Sequence, residues 1–200
     1  MGEQYKKFGK ISIWLAIVIF IIRSGFSLGD ISELVNNSNM VKLSYTLFGF
    51  AEESIGISTV IMVSFNVSFW KCKYINKYIA KTPVLHKKYS GTFESSYDNK
   101  VRSGELYIKQ TFLKVTVTFK TGESFSDSIL ASIEEIHGVE RLVYTYINEP
   151  RGELRDRSPL HYGTASLRIN KNSLQGDYYN DRKFTGSMKM KSVEDVNDKK

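Results

Sequence analysis

The amino-acid sequence predicts a two-helix transmembrane hairpin followed by an all-β domain of eight short antiparallel strands. Apolar residues concentrate in the first third of the 200-residue chain. Beyond that region they alternate with polar residues at the period of two that is typical of half-buried strands. The formal net charge is +7. Many lysines flank the apolar segments, where contact with anionic lipid headgroups is a simpler explanation than nucleic-acid binding, so no DNA or RNA partner is expected.

The first apolar segment reads ISIWLAIVIFII from Ile11 to Ile22. It reaches the ~20 residues that a span requires if Lys10 and Arg23 extend toward the membrane interfaces, which gives a span over about 9–28. A cleavable signal peptide is the alternative, because lysines precede the run as in a signal n-region. No A-x-A cleavage site follows, however, and Arg23 ends the run in a way that suits a signal peptidase poorly.

The second segment, over about 51–70, has the length of a span, ends in Trp70 and is followed by lysines. Lysines therefore flank the outer ends of the hairpin, whereas the loop between the segments is acidic, so the positive-inside rule places both termini in the cytoplasm. Serines and Asn66 make this segment unusually polar. Polar side chains allow helices to approach and hydrogen-bond within a membrane. Packing against the first helix and self-association through Asn66 are both consistent with this pattern.

Composition divides the chain into four parts. The hairpin occupies 1–72, a lysine-containing linker 73–87, the β-rich region 88–192 and a charged, disordered tail 193–200. A series of short strands with brief turns is typical of a sandwich or a small barrel, and a barrel of about eight strands has room for side chains or one small ligand. One helix-like interruption is expected at Ile133–Ile136.

Residues that carry common catalytic or metal chemistry are few or unsuitably spaced. Cys72 is the single cysteine, which excludes a disulfide framework and a cysteine-based zinc site. His86, His137 and His161 lie far apart and lack metal-ligand spacing. We find no nucleophile elbow, glycine-rich phosphate loop or helix-borne carboxylate pair. The sequence therefore predicts no metal, no cofactor and no enzymatic activity.

One stretch carries a family resemblance. His161–Met190, HYGTASLRINKNSLQGDYYNDRKFTGSMKM, resembles the G-T-A-x-L-x-I … L-x-G-x-Y-Y-x-x-R-x-x-x-G closing hairpins of the STING-like two-transmembrane β-barrel effectors of bacterial CBASS anti-phage systems. Tyr89, Gly91 and Phe93 of the opening strand and the two spans also match, so the resemblance covers nearly the whole chain.

This resemblance implies a minimal lipocalin-like barrel that binds a cyclic dinucleotide from a cognate nucleotidyltransferase. It also implies ligand-induced homo-oligomerisation in the inner membrane, membrane disruption and abortive infection. The alternative is a membrane-tethered lipocalin-like domain that binds an apolar metabolite or a protein partner. The polarity of the barrel interior discriminates between a nucleotide and an apolar ligand.

The alternation of side chains along the predicted strands indicates which residues of such a barrel would contact the ligand. Tyrosines can stack on planar bases, arginine can bind phosphate and asparagines can read base edges. Tyrosines are also common strand residues, so they can equally be explained as filling of the barrel. The predicted contacts are Tyr144, Tyr146, Asn148, Tyr178, Asn180 and Arg182.

Overall fold

The computed structural model describes residues 2–154, 156 and 158–193. The chain divides into two compact units, Met1–Ile79 and Ala80–Lys200. The tail predicted over 193–200 lies outside the described residues, apart from Val193.

The first unit contains two long helices. Helix α1 spans Gly2–Phe26, the short α2 spans Leu28–Asn36 and α3 spans Met40–Val67. The segments Gln4–Phe26 and Met40–Val67 are long and apolar enough to cross a membrane. Helix α3 begins well before 51 because the Asn39 side chain accepts a hydrogen bond from the Lys42 backbone N–H and caps the helix there.

Helices α1 and α3 pack in antiparallel orientation. Phe8 lies near Phe65, with 6.5 Å between ring centroids, while Arg23 at the other end of α1 forms an ion pair with Glu53 at 2.8 Å. The Arg23 guanidinium also lies 4.3 Å from the ring centroid of Phe50. The buried residues of α3 recur at helical spacing: Phe50, Ser54, Ser58, Met62 and Phe65. Two of the small polar residues therefore pack inside the helical unit.

The second unit is a closed barrel in which each strand pairs antiparallel with its neighbours in sequence, and the last strand closes on the first. This architecture confirms the predicted eight-stranded antiparallel barrel. The segment predicted as a linker contains short helical turns before the first strand, including α4 at Lys73–Ile75 and a π-turn at Asn76–Ala80. The strands are β1 Lys88–Ser95, β2 Val101–Gln110, β3 Val115–Thr121, β4 Ser124–Ile136, β5 Val139–Pro150, β6 His161–Asn170, β7 Ser173–Asn180 and β8 Thr185–Ser192.

The helical interruption expected at Ile133–Ile136 is wrong, because β4 continues to Ile136. β-Branched isoleucines favour a strand, and Ile133 packs against the barrel core. His137 and Gly138 then form the turn into β5 with φ angles of 52° and 74°. Positive φ at both central residues is what a tight hairpin between twisted strands requires.

Leucines fill the half of the barrel where β1 begins and β8 ends. Leu106, Leu142, Leu167 and Leu174 are fully buried there, together with other apolar side chains of the core. Each such leucine contributes about 2 kcal/mol through burial. This packed half is the scaffold of the domain, and the free space lies toward the opposite end.

Candidate functional site

A cavity of about 850 Å³ occupies the opposite half of the barrel. Four connections border its mouth, namely those that follow β1, β3, β5 and β7. At its floor the Tyr144 hydroxyl donates to the Met188 sulfur at 3.9 Å, and Phe93 and Phe119 make an edge-to-face pair with centroids 5.3 Å apart. Small-molecule sites commonly measure roughly 300–1,000 Å³, so the cavity can enclose a ligand of that class.

Two tyrosines form aromatic walls, and a glycine directly opposite leaves room for each ring. Tyr146 pairs in register with Gly163, where an added Cβ would lie 2.4 Å from the tyrosine Cζ. Tyr178 pairs with Gly186, where an added Cβ would lie 2.5 Å from the ring. Because glycine has no side chain, each ring can lie close against the neighbouring strand. The Tyr146 and Tyr178 rings therefore line the cavity and also pack against the barrel core.

Burial extends to higher pH the range over which the cavity tyrosines stay neutral. Desolvation raises the pKa of Tyr144, Tyr146 and Tyr178 above the ordinary tyrosine value, and neighbouring phenols raise those of Tyr144 and Tyr146 further. A neutral phenol is a hydrogen-bond donor as well as a planar surface. At neutral pH the Tyr146 hydroxyl can thus donate to an anionic ligand, whereas the Tyr144 hydroxyl donates to Met188 Sδ at 3.9 Å and the Tyr178 hydroxyl to the Glu94 carbonyl at 3.3 Å.

We expect these phenols to ionise late in an alkaline titration followed by ultraviolet absorbance. Their folded-state pKa values exceed the unfolded value, so their contribution to stability is present below about pH 10 and is lost as pH rises through the folded-state values. Tyr144→Phe should reduce the amplitude of the late step. A single absorbance step in the ordinary tyrosine range would contradict the enclosed environment.

An arginine that the sequence prediction missed faces the cavity from β2. Arg102 shares the inward face with Gly104 and Leu106, and its Nη1 donates to Asp98 Oδ1 at 3.0 Å. A second bond joins its Nη2 to the other carboxylate oxygen. The Arg102 guanidinium holds the pKa of the Asp98 carboxyl below its usual range. Side chains alternate between the two faces of a strand, so counting back from the buried Leu106 two residues at a time places Gly104 and then Arg102 on the inward face.

All six predicted contact residues line this cavity, although their local roles differ. Asn148 Nδ2 donates to Ser124 Oγ at 3.0 Å and to Ser126 Oγ at 2.8 Å, which braces the β4 wall. Asn180 Oδ1 accepts from the backbone N–H groups of Arg182 and Phe184 at 3.1 and 3.0 Å. Asn180 therefore shapes the turn into β8 as well as lining the cavity.

Arg182 differs from Arg102 in its electrostatic partners. Its Nη1 lies 3.5 Å from Ser158 Oγ, and it forms no ion pair with any residue in the described ranges. Lys100 and His161 also border the cavity. No cluster of three His, Cys, Asp or Glu side chains suited to a metal occurs among the described residues. Aromatic walls, hydroxyl and amide groups, and arginines together give the cavity the chemistry that suits a small, planar, anionic ligand.

Comparison with known proteins agrees with this description. Residues 80–192 match the family "Cap15, cyclic dinucleotide receptor domain". A protein of Staphylococcus schleiferi named CD-NTase-associated protein 15 is 29% identical over 195 residues, which cover 96% of this chain and 100% of the relative. A protein of the same name from Yersinia aleksiciae is 30% identical over 145 residues, which cover 70% of this chain and 69% of the relative.

The chain belongs to the Cap15 family, and its second unit is a cyclic dinucleotide receptor domain. This confirms the resemblance to the β-barrel effectors of CBASS that the closing hairpins indicated.

Proposed function

We propose that this chain is a membrane effector gated by a cyclic dinucleotide in anti-phage defence. Ligand binding in the barrel drives self-association of the helical unit in the bacterial inner membrane, where both termini are cytoplasmic. The assembly disrupts the membrane and causes abortive infection. The observation that carries this proposal is an arginine-bearing, tyrosine-walled cavity in a chain that also has two helices long and apolar enough to span a bilayer.

The numbers of aromatic and cationic side chains in the cavity match the numbers of bases and phosphates in a cyclic dinucleotide. Such a ligand has two bases and two phosphates, and the site offers two wall tyrosines, Tyr146 and Tyr178, and two arginines, Arg102 and Arg182. Stacking on an aromatic ring is worth ~1–3 kcal/mol per base. A phosphate gains charge-assisted hydrogen bonds from guanidinium groups. We assign the tyrosines to the bases and the arginines to the phosphates.

An apolar metabolite is a poorer fit. Such a ligand would cover the charged groups of Lys100, Arg182 and the Arg102–Asp98 pair, all of which border the cavity. It would remove water from these groups without replacing the lost hydrogen bonds, which is costly.

The helical unit supplies the proposed effector step. A ligand can drive assembly only if it binds the assembled state better than the free one. Tethering to a membrane raises the local concentration of copies and makes weak helix contacts effective. Asn66 is half-buried near the end of α3 and remains our candidate for an interhelical hydrogen bond. Glu53 lies in α3 like Asn66, and its ion pair with Arg23 of α1 offsets the charge of its carboxylate.

A thermal-shift measurement on the detergent-solubilised full chain tests the proposal. We expect one of cyclic di-AMP, cyclic di-GMP or cyclic GMP–AMP to stabilise the protein, by ~2.7 kcal/mol at a concentration of 100 times Kd, while AMP and GMP do not. Arg182→Ala should weaken this stabilisation. Arg168→Ala is the matched control, because Arg168 lies on the exposed outer face of β6.

A folded protein that no cyclic dinucleotide stabilises would disprove the sensing step. If an apolar ligand or a protein partner stabilised it instead, the alternative function would replace the proposal. Stabilisation without any increase in oligomer size on membranes would disprove the effector step alone.

A further inference from the structure

A second aromatic pair lies at the mouth of the cavity, apart from the wall tyrosines. Tyr97 belongs to the connection after β1 and Phe184 to the connection after β7, and both residues line the cavity. Their ring centroids are 5.1 Å apart in an edge-to-face arrangement. We refer to these two residues as the aromatic rim. It lies beside the seam at which the barrel closes, where β1 pairs with β8.

The aromatic rim is exposed, although hydrogen bonds hold the backbone around it. Of the aromatic residues that line the cavity in the described part of the chain, only Tyr97 is largely exposed, at 68%. The Ser96 backbone N–H donates to the Thr185 carbonyl at 2.8 Å, and the Thr185 backbone N–H donates to Ser96 Oγ at 3.0 Å. The Phe184 backbone N–H donates to Asn180 Oδ1 at 3.0 Å. The rim is therefore positioned before a ligand arrives, which lowers the entropic cost of a contact with it.

Each residue of the aromatic rim lies close in sequence to one of the two cavity arginines or to its partner. Phe184 follows Arg182 by two positions, and their backbone N–H groups donate to the same asparagine side-chain carbonyl. Tyr97 directly precedes Asp98, whose carboxylate accepts from Arg102 at 3.0 Å. The connections that supply cationic groups to the mouth therefore also supply aromatic rings. A nucleotide carries phosphate and base together, and this combination of groups can contact both.

We propose that the aromatic rim covers the bound ligand at the mouth, with the Tyr97 ring stacked on a base of a cyclic dinucleotide. The inference rests on the proposed function and adds a ligand contact to it. A base has two faces, so a base that stacks on a wall tyrosine still offers its second face to another ring. Phe184 supports the Tyr97 ring through their edge-to-face contact. Binding then removes from water an aromatic surface that the free protein exposes.

The position of the aromatic rim predicts how its loss changes the binding kinetics. An uncharged contact at the mouth does not attract the ligand from a distance, but it must break before the ligand leaves. We therefore expect Tyr97→Ala to raise the dissociation rate about tenfold and to leave the association rate within about twofold of its original value. Arg182→Ala should also slow association, because it removes a charge that attracts the phosphates.

Surface plasmon resonance on the immobilised, detergent-solubilised full chain measures both rates. Cyclic di-AMP, cyclic di-GMP and cyclic GMP–AMP are injected separately. Tyr97→Phe keeps the ring and should dissociate like the unmodified chain, whereas Tyr97→Leu lacks a planar face and should dissociate about as fast as Tyr97→Ala. Tyr179→Ala is the matched control, because Tyr179 is 59% exposed on the outer face of β7. This control should leave both rates unchanged.

Nitration of the unmodified chain by tetranitromethane gives a second readout that requires no substitution. The reagent modifies exposed tyrosine rings, and mass spectrometry of peptides measures each position separately. We expect a saturating concentration of the cyclic dinucleotide that binds to slow nitration of Tyr97 several-fold. Nitration of Tyr179 should not change.

Three outcomes overturn the inference and leave the proposed function standing. In the first, a bound cyclic dinucleotide leaves Tyr97 unprotected from nitration. In the second, it dissociates from Tyr97→Ala at the original rate. In the third, it dissociates from Tyr97→Leu as slowly as from the unmodified chain, which would exclude stacking. If none of the three cyclic dinucleotides binds the folded, unmodified chain, the proposed function and the inference are overturned together.

Discussion

Replacing Arg102 with alanine should weaken cyclic dinucleotide binding by at least about 100-fold. A hydrogen bond to a charged group is worth ~1.5–3 kcal/mol, and a guanidinium can make two such bonds to one phosphate. The substitution also leaves the Asp98 carboxylate at the cavity without its partner. That negative charge would then repel the phosphates. Titration calorimetry of the detergent-solubilised full chain measures the affinity directly.

Variants of the Arg102–Asp98 ion pair distinguish two causes of weaker binding, namely loss of the Arg102 cation and exposure of the Asp98 carboxylate. Asp98→Asn keeps Arg102 and removes the carboxylate, so we expect binding at least as tight as in the unmodified chain. In the Arg102→Ala background, Asp98→Asn should recover part of the lost affinity. Arg102→Lys keeps the charge but not the planar pair of donors, and should give an intermediate affinity. An affinity that Arg102→Ala leaves unchanged would contradict a phosphate-binding role.

The sequence predicted the inner faces of β5 and β7 correctly because their polarity follows the strand period. Tyr144, Tyr146 and Tyr178 extend from buried leucines in steps of two, and all three line the cavity. At the start of β2 the polarity is reversed. Apolar Val101 is 65% exposed, while the charged Arg102 faces inward. A hydropathy pattern assigns apolar residues to the inner face of a strand. It therefore fails where the inner face lines a polar cavity.

The roles of individual polar side chains depend on local geometry that strand phase does not specify. The side-chain carbonyl of Asn180, for example, accepts two backbone N–H groups of the following turn, which the strand pattern does not indicate. Asp98 lies in the β1–β2 connection, and it reaches Arg102 only because this turn reverses the direction of the chain. Such contacts arise from backbone conformation, so periodicity alone does not reveal them.

Helix α3 begins before the predicted second span, and β4 continues through the predicted helical interruption, for related reasons. Lys42 interrupts the hydropathy of α3, yet helix continuity depends on backbone hydrogen bonds and on the cap at Asn39. Ile133 and Ile136 lie three positions apart, which imitates one helical turn. The hairpin through His137 and Gly138 places the same residues on a strand. Long-range pairing with β5 therefore outweighs a short local pattern.

Gly163→Ala should lower both the stability of the barrel and its affinity for ligand. The added Cβ would lie 2.4 Å from Tyr146 Cζ and 2.7 Å from the Tyr179 carbonyl oxygen. Both the ring and the neighbouring strand must move, and overpacking of this kind costs ~1–3 kcal/mol. For a domain of this size each kcal/mol lowers Tm by about 4–8 °C. Gly152→Ala is the control, because no atom lies within 4 Å of its added Cβ.

A double-mutant cycle shows whether displacement of the Tyr146 ring causes the loss. If the ring is the main obstacle, Tyr146→Ala should cost less stability in the Gly163→Ala background than in the unmodified chain, because removal of the ring there also relieves the clash. Strictly additive losses would instead assign the effect to the Tyr179 backbone. Ligand affinity should depend on the position of the Tyr146 ring. Gly163→Ala and Tyr146→Ala should therefore each weaken binding, and the double variant should bind little worse than either single variant. That non-additivity would identify the glycine as the residue that positions the aromatic wall.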